Sequence, residues 1–84
     1  MTTGGTIPLT ALPPGRRGRL AAPGPGEELP RRLRDLGFVP DTELQVVRRA
    51  PLGDPVEIEI RGYRLCLRLA QLRGLRVRVE EEGA

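Results

Sequence analysis

The chain of 84 residues contains no His, Ser, Lys or Trp, and its single cysteine is Cys66. A Ser-His-Asp or Cys-His relay therefore lacks its base, and a GxxxxGK[ST] phosphate loop lacks its lysine. A structural zinc site takes about four Cys, His or carboxylate ligands, and no second thiol or imidazole is present to join Cys66. These absences predict a binding or regulatory protein that is not an enzyme and has no resident cofactor.

The sequence also lacks the features of an exported or membrane-inserted chain. One cysteine cannot form an internal disulfide. No apolar run approaches the ~20 residues of a membrane helix, and the N-terminal segment lacks both the charged start and the continuous apolar stretch of a signal peptide. We therefore expect a cytoplasmic protein that is not itself inserted into a membrane.

The net charge of +3 comes from fourteen basic residues, all of them arginine. An arginine-rich barrel that binds RNA is one interpretation of this excess. Two features oppose it, because Glu57 and Glu59 lie among the arginines of the strand segments and only Phe38 and Tyr63 are aromatic, whereas single-strand binders stack bases on aromatic side chains. The pattern favours a solvated face held by cross-strand ion pairs.

The length allows a single small domain, since compact domains usually run to roughly 100–150 residues. We expect a flexible leader over residues 1–8, one domain over residues 9–80 and an acidic tail over residues 81–84. Within the domain, Leu29, Leu33 and Leu36 recur at helical spacing. With two glutamates at its start, Pro30 in its first turn and Gly37 just past its end, the segment predicts a helix over about residues 27–36.

Strand periodicity dominates the rest of the chain. A short strand is expected at RGRLAA, and apolar and polar residues alternate in TELQVVRR, VEIEI, RLCLRL and LRVRV, as in antiparallel strands with one wet face. Arg61, Gly62 and Tyr63 predict a tight hairpin between the third and fourth of these strands. The fold class is therefore mainly β, a small barrel of about five antiparallel strands with one short helix after the first, because curling protects the sheet edges.

Three segments resemble the FeoA family: RRLRDLGFVPD at residues 31–41, VVRRAPLGDPVEIEIRG at residues 46–62 and LCLRLAQLRGLRV at residues 65–77. The resemblance covers residues 9–79 and implies a barrel of the SH3 type. It also implies a cytoplasmic accessory or regulatory module of ferrous iron uptake that binds the membrane transporter FeoB or its GTPase region. Asp41 stands where the family favours Gly, and Gln71 and Leu72 stand at the Glu and Ala of its LRxxEA pattern.

The first candidate site is the loop between the alternating segments TELQVVRR and VEIEI. Its two prolines fix φ and leave an apolar residue at the tip, so it is either a preformed partner-binding lip or a rigid turn that sets the strand register. The loop consists of Ala50, Pro51, Leu52, Gly53, Asp54 and Pro55.

Further candidate partner-binding residues flank this loop. Phe38 either plugs the core or lines an apolar groove near Leu52 together with Pro40. Arg48, Arg49 and Arg68 pair either with carboxylates of a partner or with Glu57 and Glu59 of the same sheet.

A metal-sensing module is the alternative function. Family labels mention transition metal binding, although no constellation of ligands defines the family. Here the weak candidates for an Fe(II) site are Cys66, Asp54 and Glu57, and one thiol with scattered carboxylates defines no site. Pairing of a barrel edge with a second copy of the chain stays open as well.

Overall fold

The computed structural model describes residues 5–80. Six strands and three short helical segments follow one another along the chain: β1 (Ile7–Pro8), a 3₁₀ turn (Leu9–Ala11), β2 (Arg17–Leu20), α1 (Arg31–Asp35), β3 (Glu43–Arg49), β4 (Val56–Ile60), β5 (Tyr63–Leu67), α2 (Leu69–Leu72) and β6 (Arg76–Val79). No helix in this part of the chain is long and apolar enough to cross a membrane.

All six strands belong to one antiparallel sheet in the order β1-β6-β2-β3-β4-β5. The predicted mainly-β class is thus confirmed, with six strands instead of five. The extra strand, Ile7–Pro8, lies in the segment expected to be a flexible leader, where Ile7 pairs with Val77 and Pro8 with Arg76. Residues 1–4 of that leader and the acidic tail at residues 81–84 lie outside the described residues.

One hydrophobic core gathers the buried apolar side chains of the sheet and of the helical segments. The alternation predicted for the strands is confirmed at β4, where the three apolar residues are buried and the two glutamates are half-buried. The buried apolar residues are Leu9, Leu12, Leu20, Leu29, Leu33, Phe38, Leu44, Val46, Val56, Ile58, Ile60, Leu67, Leu72, Leu75 and Val77. No polar or charged residue is buried among the described residues, so apolar contact is the main term that stabilises the interior.

Helix α1 is shorter than the predicted helix over residues 27–36. Pro30 precedes its first turn with an extended ψ of 137°, and Glu27 lies in a separate turn in which its backbone N–H donates to the Gly24 carbonyl at 3.0 Å. The leucine spacing did not reveal this, because Leu29 reaches the core from a loop just as it would from a helix. Gly37 follows the helix with a φ of +106°, as its position past the end predicted.

The hairpin between β4 and β5 holds the end of α1. Its two loop residues, Arg61 and Gly62, both have positive φ, which is the conformation of a two-residue hairpin turn. The Tyr63 hydroxyl donates a hydrogen bond to the Leu36 carbonyl. A Cβ at Gly37 would lie 2.7 Å from Arg61 Cδ, so any other residue here would require the arginine side chain to move and would adopt an unfavourable positive φ.

Strand β3 contains a bulge at Val47. Val46 lies opposite Ile58, but Arg48 lies opposite Glu57, so two steps on β3 match one step on β4. Beyond the bulge, the positions that would face the core by simple alternation face solvent, and those that would face solvent face the core. Arg48 therefore lies on the wet face, and Arg49, opposite the buried Val56, extends toward the interior side of the sheet end.

A cluster of charges joins β2, β3 and the segment after β6. Arg19 Nε donates to Glu80 Oε2 at 2.6 Å, and Arg78 Nη2 donates to Asp41 Oδ1 at 2.5 Å. Asp41 itself adopts a left-handed φ of 72°, so this turn accommodates Asp where the family favours Gly. The hydrogen bond with Glu43 lowers the pKa of Glu80, and the hydrogen bond and charge of Arg19 lower it further, against desolvation, which raises it.

Substitution of Phe38 is expected to destabilise the fold strongly. Phe38 is fully buried, and Phe→Ala changes in cores typically cost about 3–5 kcal/mol. Leu52→Ala serves as the control, because Leu52 is 96% exposed and its truncation is expected to stay within about 0.5 kcal/mol of the parent chain. Urea denaturation measures both, and equal losses for the two variants would contradict the core position of Phe38.

Removal of the Glu80 carboxylate is expected to destabilise the protein only above acidic pH. The folded state lowers the pKa of Glu80 from its ordinary value of 4.5. The ionised carboxylate therefore contributes its full stabilisation of the folded state above pH 4.5, and this stabilisation is lost as the pH falls through the folded-state pKa. Glu80→Gln should therefore lower the urea midpoint at about pH 7, and this loss should shrink as the pH falls through the acidic range. Glu28→Gln, at an exposed position, makes the same change in net charge. The same pH profile for both variants would contradict the Arg19–Glu80–Glu43 cluster.

Candidate functional site

The loop between β3 and β4 is closed by its own backbone. The Gly53 N–H donates to the Ala50 carbonyl at 2.7 Å, and the Ala50 N–H donates to the Pro55 carbonyl at 3.0 Å. Pro51 and Leu52 therefore take the two central positions of a tight turn, and Gly53 follows with a φ of +91°. The loop, hereafter the 50–55 loop, is thus closed by two backbone hydrogen bonds and contains two prolines whose φ is fixed.

Leu52 at the tip of the 50–55 loop is 96% exposed, the highest value among the exposed large apolar side chains of the described residues. An isolated exposed leucine is ordinary, but this one stands on a turn whose backbone is fixed on both sides. The apolar loop tip expected from the sequence is therefore present.

Asp54 connects the 50–55 loop to α2. Its Oδ1 accepts a hydrogen bond from the Leu69 N–H at 3.0 Å, which satisfies one of the backbone donors at the start of that helix. The carboxylate that the sequence offered as a weak metal ligand thus has a structural partner. The turn and the partner-binding interpretations of the loop are compatible, since this bond fixes the loop and leaves Leu52 uncovered.

A hollow of about 280 Å³ adjoins the loop at the end of β3 and the start of β4. Its walls are largely apolar, with charged groups of β3 and β4 at the edge. The hollow, hereafter the Cys66 hollow, is lined by Arg48, Arg49, Ala50, Pro51, Pro55, Glu57 and Cys66. It brings together three of the six loop residues, Arg48 and two of the three weak metal candidates.

The arginines of the candidate site have different partners. Arg48 Nε donates to Glu57 Oε1 at 2.9 Å, which confirms the intra-sheet alternative for this residue. Arg64 shares that carboxylate at 3.7 Å and also approaches Glu59 at 3.8 Å. Within residues 5–80 no carboxylate lies within ion-pair distance of Arg68, whose side chain is exposed.

Arg49 has a partner that sequence reasoning did not predict. Its Nη2 donates to the Thr10 carbonyl at 2.7 Å and to the Leu12 carbonyl at 3.0 Å. The expected pairing with Glu57 or Glu59 is wrong for this residue, because the bulge at Val47 turns it away from the wet face. Arg49 therefore joins the base of the 50–55 loop to the segment that follows β1.

Phe38 and Pro40 do not belong to the hollow. Phe38 is fully buried, so the core alternative is the observed one and the groove alternative is wrong. Pro40 is exposed in the turn after α1 and is not among the residues that line the hollow.

The two departures in α2 have structural consequences. Gln71 Oε1 accepts a hydrogen bond from the Arg68 N–H at 3.0 Å, and the Gln71 N–H donates to the Arg68 carbonyl at 2.9 Å. Gln thus caps the helix as Glu does in a capping box, without a negative charge. Leu72 is buried in the core.

The described residues do not assemble a metal site. No group of three or more Cys, Asp or Glu side chains within residues 5–80 lies close enough to hold an ion. Cys66 is exposed as its phase predicted, and it lies opposite Glu57 on the neighbouring strand. Asp54 donates no third ligand to this pair, because it is oriented by the backbone of α2.

Loss of the Asp54 cap is expected to destabilise the loop and α2 together. Asp54→Ala removes the acceptor of the Leu69 N–H and should lower the free energy of unfolding by about 1 kcal/mol. Asp54→Asn keeps a side-chain oxygen and should cost less. Urea denaturation measures the cost, and amide exchange at Leu69 reports the bond directly. Unchanged exchange at Leu69 in Asp54→Ala would contradict the cap.

Comparisons with known proteins agree with this geometry. The model of the FeoA domain family matches residues 7–79. A FeoA-like protein from Clostridium acetobutylicum is 30% identical, with a TM-score of 0.81 over 100% of this chain and 95% of that one. Iron(II) transport protein A from Clostridium thermocellum is 34% identical, with a TM-score of 0.76 over 87% of this chain, which spans 45% of the length of that protein.

A third similar structure comes from Stenotrophomonas maltophilia. This FeoA, solved in complex with zinc, is 27% identical, with a TM-score of 0.67 over 88% of this chain and 89% of that one. It is described as a prokaryotic SH3 domain protein and a candidate activating factor of ferrous iron transport. The resemblance carried by the sequence motifs is thus confirmed over nearly all of the described residues, and the chain belongs to the FeoA family and shares the SH3-like fold of this relative.

Proposed function

We propose that this protein is a cytoplasmic accessory module of ferrous iron uptake that binds the GTPase region of the membrane transporter FeoB through the 50–55 loop and the Cys66 hollow. The observation that carries the proposal is Leu52, a leucine that is 96% exposed at the tip of a backbone-closed turn. Membership of the FeoA family supports the role in iron uptake.

The rigidity of the loop favours binding over a purely structural role for its tip. Binding orders side chains and loops at a cost, and a loop that is already fixed avoids part of this cost. The bonds within the loop and the Asp54–Leu69 bond hold the backbone in place before any partner arrives. An apolar side chain on such a support can enter a partner's pocket with its orientation set, as the central anchors of interfaces do.

The surroundings of Leu52 also have the composition of an interface. The Cys66 hollow has apolar walls formed by Ala50, Pro51 and Pro55, and Arg48 and Glu57 lie at its edge. A surface with an apolar centre and a polar rim is the usual arrangement at protein contacts. Regulation then follows from contact with the transporter, and no chemical step in this chain is required.

Leu52→Glu is expected to weaken binding to the GTPase region of FeoB at least tenfold, because it places a charge where an apolar anchor would be desolvated. The free energy of unfolding should be unchanged, since the side chain contacts solvent almost entirely. Calorimetric titration of the purified GTPase region measures the affinity, and urea denaturation measures the stability.

Ala22→Glu is the matched control, because Ala22 is exposed and lies outside both the loop and the hollow. It adds the same charge and should leave the affinity unchanged. Equal losses in the two variants, or no binding by the parent chain combined with unchanged iron uptake after its deletion, would refute the proposed function.

A further inference from the structure

Strand β5 forms one end of the sheet, and its outer edge has no neighbour among the described residues. The sheet order ends at β5, which pairs only with β4. Tyr63, Arg64 and Cys66 are exposed along this edge. An exposed strand edge presents unpaired backbone N–H and C=O groups on which a further strand can pair.

The register of the hairpin identifies which backbone groups face outward. In a two-residue hairpin the closing pair, here Ile60 and Tyr63, exchanges both of its hydrogen bonds, and hydrogen-bonded pairs then alternate with non-hydrogen-bonded ones. Tyr63, Leu65 and Leu67 therefore direct their backbone groups to β4. Arg64 and Cys66 direct theirs to the free edge, where two N–H and two C=O groups are available.

The opposite end of the sheet offers much less. Strand β1 has only two residues, and one of them is Pro8, which has no backbone N–H. Within residues 5–80, β5 is thus the end of the sheet with a run of donors and acceptors long enough to hold another strand.

The positively charged side chains beside this edge favour a partner strand that carries acidic residues. Arg64 and Arg68 lie on the wet face, with Cys66 between them. Arg68 has no carboxylate within ion-pair distance among the described residues, and the two contacts of Arg64 are long, at 3.7 and 3.8 Å. Opposite charges on facing positions of neighbouring strands stabilise their pairing. An added strand with acidic residues opposite these arginines would supply those charges.

Pairing of β5 with the β5 strand of a second copy of the chain is unfavourable, because it brings arginines close together. Antiparallel pairing of two β5 strands around Cys66 places Arg64 opposite Arg68, and pairing around Arg64 places this residue opposite itself. The intermediate register puts Arg64 diagonal to both arginines of the other copy. Like charges at such positions destabilise strand pairing, so self-association through this edge is disfavoured.

We infer that the β5 edge binds an extended acidic segment of another protein, which adds to the sheet as an antiparallel strand with carboxylates facing Arg64 and Arg68. Addition of a strand to a sheet edge is a common mode of peptide recognition, in which backbone bonds provide affinity and alternate side chains provide specificity. The inference goes beyond the proposed function, since it specifies the chemistry of a ligand whether or not the partner is the iron transporter.

The probe is the blocked peptide Thr-Glu-Val-Thr-Val-Glu-Thr, in which the glutamates would face Arg64 and Arg68 and the central Thr would face Cys66. Titration into the ¹⁵N-labelled protein is expected to shift the amide signals of Arg64 and Cys66 and to slow their exchange with solvent. Added salt should weaken binding, because the arginines are exposed. A peptide with Lys in place of Glu should bind at least about tenfold more weakly.

Two pairs of variants separate charge from backbone pairing. Arg68→Glu should weaken binding of the acidic peptide about fivefold or more, whereas Arg32→Glu, the same change on the exposed face of α1, should not. Cys66→Pro removes an outward N–H without removing a bond to β4 and should abolish binding, whereas Cys66→Ala should retain it. If the proline variant does not fold, the Arg68 and Arg32 pair still decides the question.

Equal binding of the Glu and Lys peptides, equal effects of the two arginine variants, or peptide-induced shifts confined to the 50–55 loop would overturn the inference. A dimer of the free chain that Cys66→Pro disrupts would also overturn it. The outcome is independent of the titration with the GTPase region, because the peptide tests the β5 edge alone and Leu52→Glu tests the 50–55 loop.

Discussion

The bulge at Val47 is the constraint on which the rest of this structure depends. Because β3 contains one additional residue, every side chain after it on that strand points to the opposite face of the sheet from the one that simple alternation would give. Without the bulge, Arg48 would lie on the core side, where an unpaired guanidinium is costly, and Arg49 would lie among the other arginines of the wet face. With it, Arg48 meets Glu57, and Arg49 binds two carbonyls of the segment after β1. The loop that follows is thereby joined to the rest of the domain at its base.

A second close contact fixes the opposite side of the domain. The C-terminal end of α1 rests on the β4–β5 hairpin through the Tyr63 hydroxyl and the narrow space at Gly37. Since α1 contributes only Leu33 to the core from within its five residues, apolar burial alone holds it weakly. The hairpin contact therefore couples the position of the helix to that of β5. In a domain with so thin a core, polar contacts between neighbouring segments matter more than they do in a large protein.

Local patterns predicted those parts of the fold that local chemistry determines. Alternation in VEIEI and LRVRV identified strands with one buried face, and Pro and Gly located the turns. Strand β1 has two residues, too few for any periodicity, and it exists because β6 provides an edge for it. The start of α1 was misplaced because Leu29 is buried from a loop. At the candidate site, the exposure of Leu52 followed from its place between turn residues, whereas the partners of Arg49 are carbonyls 37 and 39 positions away, which no local pattern encodes.

The unequal ends of the sheet have a consequence for how molecules of this protein meet one another. A head-to-tail fibre grows only if one strand edge of each copy pairs with a different strand edge of the next copy. The same contact can then repeat without closing into a ring. Here β1 is two residues long and includes Pro8, so the acceptor side of such a contact is missing from the described part of the sheet. A strand bound at β5 therefore meets no matching edge on the β1 side of another copy, and repeated edge-to-edge addition of the described part of the domain is disfavoured.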